Sequence, residues 1–174
     1  EIDTKYERLL GKLKEFFKDH PKQKVVLFAG FHATLNYLYE RLQEDGIVPV
    51  LLTGHQGKEK YSIIKSFEES SEINILLASE VASEGIDLQF SRVIINYDLP
   101  WNPMKIEQRI GRLDRIGQVN ESILIWNLLT GGTIDERIYE RLYERLDVFQ
   151  RSLGDLEAIL GEKIGELTSS LLSG

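Results

Sequence analysis

The chain has 174 residues, 42% of them hydrophobic and 28% charged, with 14 Gly, 4 Pro and no Cys. That is room for one domain with a substantial core but not for two. Zero Cys excludes disulfides and thiolate metal sites, as expected of a cytoplasmic protein. The net charge of −7, from 21 Lys plus Arg against 28 Asp plus Glu, argues against nucleic-acid binding through the whole surface, so any such contact must be local or shared with a partner domain. Apolar runs such as 73–78 and 93–95 are too short to cross a bilayer, and no membrane partner is expected. The opening residues 1–19 are charged and helically periodic rather than a signal peptide. With no initiator Met, the chain is expected to be a fragment of something longer.

In chain order, Ile2, Tyr6, Leu9, Leu10, Leu13, Phe16 and Phe17 recur at helical spacing, and His20-Pro21 stops that helix. Lys24 to Ala29 (KVVLFA) predicts a buried parallel strand, broken by Gly30. Thr34 to Gln43 predicts a helix with Leu35, Leu38, Tyr39 and Leu42 on one face, and Val48 to Leu52 a second strand closed by Thr53-Gly54. Lys58 to Glu68 predicts a helix with Tyr61, Ile64 and Phe67 inward. Ile73 to Ala78 and Arg92 to Tyr97 predict the third and fourth strands, Lys105 to Arg115 a helix, and Ser122 to Leu128 a fifth strand. Ile134 to Phe149 carries an amphipathic stripe. A mixed solvated face and packing on the sheet account for it, with docking onto another lobe or protein as the alternative. The Gly-punctuated tail after Gly154 predicts short helices or frayed chain.

Alternating helices and nearly continuous apolar strands imply an α/β fold, a parallel sheet covered on both faces. Ligands of such folds sit at the carboxyl ends of the strands. Two stretches stand out there: Ala78 to Asp87 (ASEVASEGID), directly after a strand, and Glu107 to Gln118 (EQRIGRLDRIGQ). Gln108, Arg112 and Arg115, at i, i+4 and i+7, form one row on a helix, with Arg109 one residue off it. The planar Arg fork suits bidentate phosphate contact and stabilises charge on a transferring phosphoryl group. Asp114 could orient one Arg. Spacing alone favours the alternative, a solvated face pairing Arg with Glu107 or Asp114. Gly85 would let backbone approach a ligand, Asp87 could accept a ribose hydroxyl or hold an Arg, and Ser79 could donate to a phosphate oxygen. A loop with a permissive Gly and a capping Asp is the alternative.

Taken together, the two stretches resemble motifs V and VI of superfamily 2 helicases and translocases. VIINYDLPWNP between them is similar to the strand and WNP signature of the Swi/Snf branch, continued by Ile116-Gly117-Gln118. KVVLFAGF resembles motif IV, and LLTG the segment after it. The resemblance spans roughly residues 5 to 150, and its spelling is closest to the bacterial RapA/HepA-like group, whose members include an RNA-polymerase-associated ATPase. It implies a RecA-like (P-loop NTPase-type) second lobe over residues 1–150, with 151–174 as a helical extension or tail. It implies Arg112 and Arg115 as arginine fingers, Gln108, Gly85 and Asp87 near ATP, and Ser79 and Trp101 at the nucleic acid. Packing of Trp101 under its own loop, between Pro100 and Pro103, is the alternative. Lys58 and Lys60, after LLTG, are further candidates for phosphate contact, with plain solvation as the alternative.

The G-x-x-x-x-G-K-[ST] phosphate cradle is absent: Gly11-Lys12 and Gly57-Lys58 lack the earlier Gly and the following hydroxyl. Asp98 and Asp135-Glu136 are the segments open to confusion with a metal-holding acidic motif. His20, His32 and His55 lack metal-ligand spacing, and no metal site is expected here. ATP and Mg²⁺ are therefore expected only in the intact protein, with Mg²⁺ held by the first RecA-like lobe, and none bound by this chain alone. The expected partners are that lobe, nucleic acid (double-stranded DNA by resemblance), and RNA polymerase or another protein complex. The expected location is the cytoplasm, with the nucleoid of a prokaryote. An RNA helicase, a restriction-type translocase and a non-catalytic protein-binding module remain as alternatives.

Overall fold

The runs Val25–Phe28, Ile75–Ala78 and Val93–Asn96, apolar but for Asn96, are buried at every position, as strands covered on both faces are. The computed structural model describes residues 3–54, 56–98, 105, 108–109 and 124–128. The expected helix over 134–149, the tail 151–174, and the candidates Trp101, Arg112 and Arg115 lie outside them. The elements run α1 (Thr4–Asp19), β1 (Val25–Phe28), α2 (His32–Glu44), β2 (Pro49–Leu52), α3 (Glu59–Glu69), β3 (Ile75–Ala78), α4 (Glu80–Ser83), β4 (Val93–Asn96) and β5 (Leu124–Asn127). Among the described residues the strands form one parallel sheet in the order β2-β3-β1-β4-β5.

The helix α1 begins where Asp3 accepts hydrogen bonds from the N–H groups of Lys5 and Tyr6, both at 3.1 Å. A side-chain cap of this kind satisfies donors that the first turn leaves unpaired. Burial tends to raise the Asp3 pKa, but these two bonds, the Tyr37 hydroxyl and the Arg41 charge outweigh it, and the net shift is downward. The apolar stripe of α1 (Tyr6, Leu9, Leu10, Leu13 and Phe16) is buried. It packs with Leu35, Leu38 and Leu42 of α2 against Val25, Leu27, Ile75, Leu77, Val93 and Ile95 of the sheet. Phe16 meets Trp126 of β5 edge-on, with ring centroids 5.5 Å apart. Successive strand residues alternate between faces, so Val26, Phe28, Leu76, Ala78, Ile94 and Asn96 point the other way.

Side-chain contacts tie α1 to α2. The Tyr6 hydroxyl donates to Asp45 at 2.6 Å, Tyr37 donates to Asp3 at 2.9 Å, and the Arg41 guanidinium lies 4.5 Å from the Tyr6 ring centroid. Lys24, buried at the entry to β1, donates to the carbonyls of Ser70 and Ile73, binding the α3–β3 turn to the central strand. Its burial lowers its pKa.

Three expectations need correction. Tyr61 is not inward but 59% exposed, whereas Ile64 and Phe67 are buried. Three residues advance about 300° on a helix, so a run of i, i+3 steps drifts off the core face, and Tyr61 lies in the first turn. The segment after β3, expected as a loop, contains the short helix α4. Several ends also move, as with α2, which starts at His32 rather than Thr34.

Candidate functional site

The chain leaves β1 toward β2 at one edge of the sheet and leaves β4 toward β5 at the other. The crevice between the carboxyl ends of β1 and β4 is thus a topological switch point, where open α/β sheets bind ligands. Asp98, just past β4, bridges it by accepting the Gly30 N–H with both carboxylate oxygens, at 3.2 and 3.0 Å. This acid therefore serves a neighbouring strand end.

Arg109 lies beside the same crevice. Its residue is only 3% exposed, and its guanidinium carbon stands 5.0 Å from the centroid of the Phe28 ring. Its Nε donates to Glu80 at 2.7 Å and one terminal nitrogen donates to Asn96 at 2.6 Å. Asn96 in turn donates to Asn127 at 2.8 Å. Phe28, Asn96 and Asn127 share the last register row of β1, β4 and β5, so one face at the carboxyl end carries both the aromatic ring and the two amides. Glu80 also pairs with Lys105 at 3.3 Å. A buried guanidinium needs such partners, because an uncompensated interior charge costs several kcal/mol.

Sequence reasoning gave Glu80, Asn96 and Asn127 no role and left Arg109 off the candidate row. The available signal was an Asn closing each of two apolar strands, VIIN and LIWN. Gln108, by contrast, is exposed, and Lys105, Gln108 and Arg109 are all helical.

Ser79 caps α4, its hydroxyl oxygen accepting the Ala82 N–H at 3.2 Å. That leaves the hydroxyl proton available to a phosphate oxygen. Gly85 follows α4 with φ +73°, and a Cβ there would meet nothing within 4 Å among the described residues. Its requirement for glycine is therefore the left-handed backbone that ends the turn rather than close approach of a neighbour. The return brings Ile86 and Leu88 into the core and leaves Asp87 exposed. Lys60 donates to the Glu84 carbonyl at 3.0 Å, and Gly54 approaches Val81. The start of α3, the loop after β2 and α4 thus form one surface, which gathers Ser79, Lys60 and the exposed Lys58. Tyr61 of α3 and Val81 of α4 are exposed on it, at 59 and 74%.

Glu80, Val81, Glu84, Lys105, Gln108 and Arg109 line a cleft of about 130 Å³. A nucleotide-sized ligand needs roughly 300 Å³ or more, so these residues supply at most one wall of such a site. Two carboxylates among the six also make it a poor phosphate cradle. Nor do the described residues contain a group of three or more His, Asp and Glu able to hold a metal. Among them no helix is long and apolar enough to cross a membrane.

The model of the helicase conserved C-terminal domain matches residues 5–117. An uncharacterized ATP-dependent helicase of Bacillus subtilis, YqhH, is 42% identical over 137 residues, 79% of this chain and 24% of that protein. The chain thus spans about a quarter of that relative's length. Among solved structures, the C-terminal part of the Fun30 ATPase domain is 27% identical with a TM-score of 0.72, covering 91% of this chain and 54% of that one. The Escherichia coli DEAD-box protein SrmB, solved bound to the regulator of ribonuclease activity RraA, is 27% identical with a TM-score of 0.60, covering 71% and 69%. The Pyrococcus furiosus Hef helicase domain, at 24% identity and a TM-score of 0.67 over 79% of this chain and 28% of that one, shares the fold. With the parallel sheet, these likenesses establish an α/β RecA-like fold.

Proposed function

The chain belongs to the helicase conserved C-terminal domain family, and on that premise we propose that it is the second RecA-like lobe of a Swi/Snf-type, nucleic-acid-dependent ATPase. The observation that carries the reading is the meeting of Glu80, the residue after Ser79, with Gln108 and Arg109 at the carboxyl end of the sheet. Two segments about thirty residues apart, each weak alone, converge where RecA-like folds bind ligands. The spelling WNP followed by RIGQ supports the Swi/Snf branch and the RapA/HepA-like group within it.

In this reading residues 1–150 form the lobe and 151–174 an extension. Arg112 and Arg115 reach the γ-phosphate of ATP held by a first lobe, stabilising charge on the transferring phosphoryl group. Gln108, Gly85 and Asp87 border the nucleotide. Ser79, Lys58, Lys60 and Trp101 grip the backbone of duplex DNA, which charge and stacking can do without reading bases. Mg²⁺ neutralises phosphate charge in such reactions, and its ligands belong to the first lobe. Glu80 and Asp98 of this chain already serve Arg109, Lys105 and Gly30. The acidic remainder of the surface confines DNA contact to one narrow face. RNA polymerase or another complex is the expected protein partner, in a prokaryotic cytoplasm.

The test is ATP turnover by the intact protein, wild type and Arg115→Ala, with duplex DNA, single-stranded DNA or RNA, and the isolated chain as control. Duplex DNA should stimulate wild type, the variant should lose roughly 10³-fold or more, and the isolated chain should be inactive. Stimulation by RNA alone would move the protein to the RNA-helicase reading. No turnover with any nucleic acid would leave a binding module, and turnover by the isolated chain would refute the half-site.

A further inference from the structure

The outer edge of the sheet at β2 is closed by a side chain. β2 stands last in the strand order, and among the described residues β3 is its one strand neighbour. The N–H groups of Val25 and Ala29 donate to the carbonyls of Asn74 and Ala78, at 2.8 and 3.3 Å. The even-numbered residues of β3 therefore turn their backbone groups toward β1. Alternate residues of a parallel strand serve opposite neighbours, so Leu77 turns toward β2. Its register with Leu51 makes Val50 and Leu52 its bonding partners. Pro49, Leu51 and Thr53 then direct their backbone groups outward, away from the sheet.

Gln56 lays its carboxamide on that outward edge. Its Oε1 accepts the Thr53 N–H at 2.8 Å, and its Nε2 donates to the Leu51 carbonyl at 3.2 Å. One residue of an added parallel strand, placed opposite Leu52, would make the same two bonds. The backbone of Gln56 is held as well. Its N–H meets the Thr53 carbonyl at 3.4 Å, and its carbonyl accepts the Glu59 N–H at 2.9 Å, at the start of α3. Pro49 blunts the other end, because its outward nitrogen has no hydrogen to give. Residues 47–54 (IVPVLLTG) carry no charge, Val48 is 47% exposed, and Val50 and Leu51 are half-buried. An uncharged apolar edge invites strand pairing, and charged side chains commonly prevent it. Here an amide stands in their place.

We propose that the β2 edge is a latent strand-addition surface for a second copy of this chain, held shut by the Gln56 carboxamide. A second copy fits because two such edges, related by a two-fold axis, meet antiparallel with no charge to repel. With the amide in place, the stretch from Pro49 to Thr53 offers only the Pro49 carbonyl and the Leu51 N–H, too little for a ladder. Without it, the Leu51 carbonyl and the Thr53 N–H join them. The proposal is independent of the ATPase reading.

The experiment uses the intact protein with Gln56→Met, which keeps the length of the side chain without the amide, and Gln56→Ala. Each is made alone and together with Val48→Lys. Mass is followed by sedimentation over about two decades of concentration, and exchange of the Leu51 and Thr53 amide hydrogens at both ends of that range. Q56M and Q56A should associate on concentration, their average mass rising toward twice that of wild type. In dilute Q56M the Thr53 N–H should exchange about fivefold faster than in wild type, the scale of one net hydrogen bond. Protection should return in the concentrated sample. V48K should abolish both the association and the returned protection, since a Lys on the edge opposes pairing. Folded Q56M and Q56A that keep the wild-type mass overturn the proposal, as does association that V48K leaves untouched. A wild type that itself associates and is dispersed by V48K also overturns it, because the edge would then be open with Gln56 in place. ATP turnover decides none of these outcomes, so either reading can fail while the other stands.

Discussion

Replacing Tyr6 by Phe removes a single oxygen from the contact between α1 and α2 while keeping the ring. Tyr6 has no exposed surface, and its hydroxyl donates to Asp45 at 2.6 Å. A hydrogen bond to a charged group contributes roughly 1.5–3 kcal/mol. Asp45 is only partly buried and regains water when the hydroxyl goes, so a loss of about 1–2 kcal/mol is expected at pH 7. For a chain of this size that lowers Tm by about 3–6 °C. The pH dependence has a definite sign. Burial, then the hydrogen bond to Asp45, raises the Tyr6 pKa well above its ordinary value of 10.0. Its contribution is complete below pH 10 and is lost as pH rises beyond it, because the unfolded tyrosine ionises while the folded one stays neutral. Linkage makes this about 1.4 kcal/mol between pH 7 and pH 11. Urea titrations of wild type and Tyr6→Phe at pH 7 and pH 11 should therefore show a gap that shrinks by about that amount. Ionising lysines are common to both proteins and cancel. Equal midpoints at pH 7, or a gap unchanged at pH 11, would refute the assignment of Asp45 as a working partner.

Gly85→Ala should cost about 1–2 kcal/mol in urea titration, the penalty of a side chain in the left-handed region, because no described neighbour obstructs the new methyl. A neutral result would mean that the turn after α4 adopts another backbone. Ser79→Ala should lose about 1 kcal/mol with the cap of α4, whereas Ser79→Asp should keep the cap and still weaken DNA binding several-fold in a fluorescence titration. Equal DNA affinity for wild type and Ser79→Asp would remove Ser79 from the interface.

Much of the architecture was legible before any coordinates. The runs VVLF, ILLA and VIIN consist of nearly nothing but apolar residues, and only a strand buried on both faces accommodates them. The α1 stripe survived almost unchanged because its spacing repeats over four turns. Tyr61 misled because α3 is short and one aromatic at its first turn satisfies an i, i+3 pattern without facing the sheet. The turn at α4 was missed because four residues carry no periodicity. Ser79 and Gly85 were both marked as special, yet their capping roles emerge only with the backbone of α4 in view.

The site divides in the same way. Motif order and spelling, local properties of the chain, were enough to identify the helicase C-terminal family. Which row of a helix faces the protein is a different kind of fact. Spacing relates Gln108, Arg109, Arg112 and Arg115 to one another, but only the sheet beneath decides that Arg109 is buried and Gln108 exposed. The order β2-β3-β1-β4-β5 lays Asn96 beside Asn127 and Phe28, residues distant in the chain. The sequence by itself determined the strands and the longer helices, because hydrophobic periodicity is local. Only the tertiary structure decided the partners of a buried guanidinium, because a charge in the interior is held by whichever distant groups the packing brings within hydrogen-bond reach.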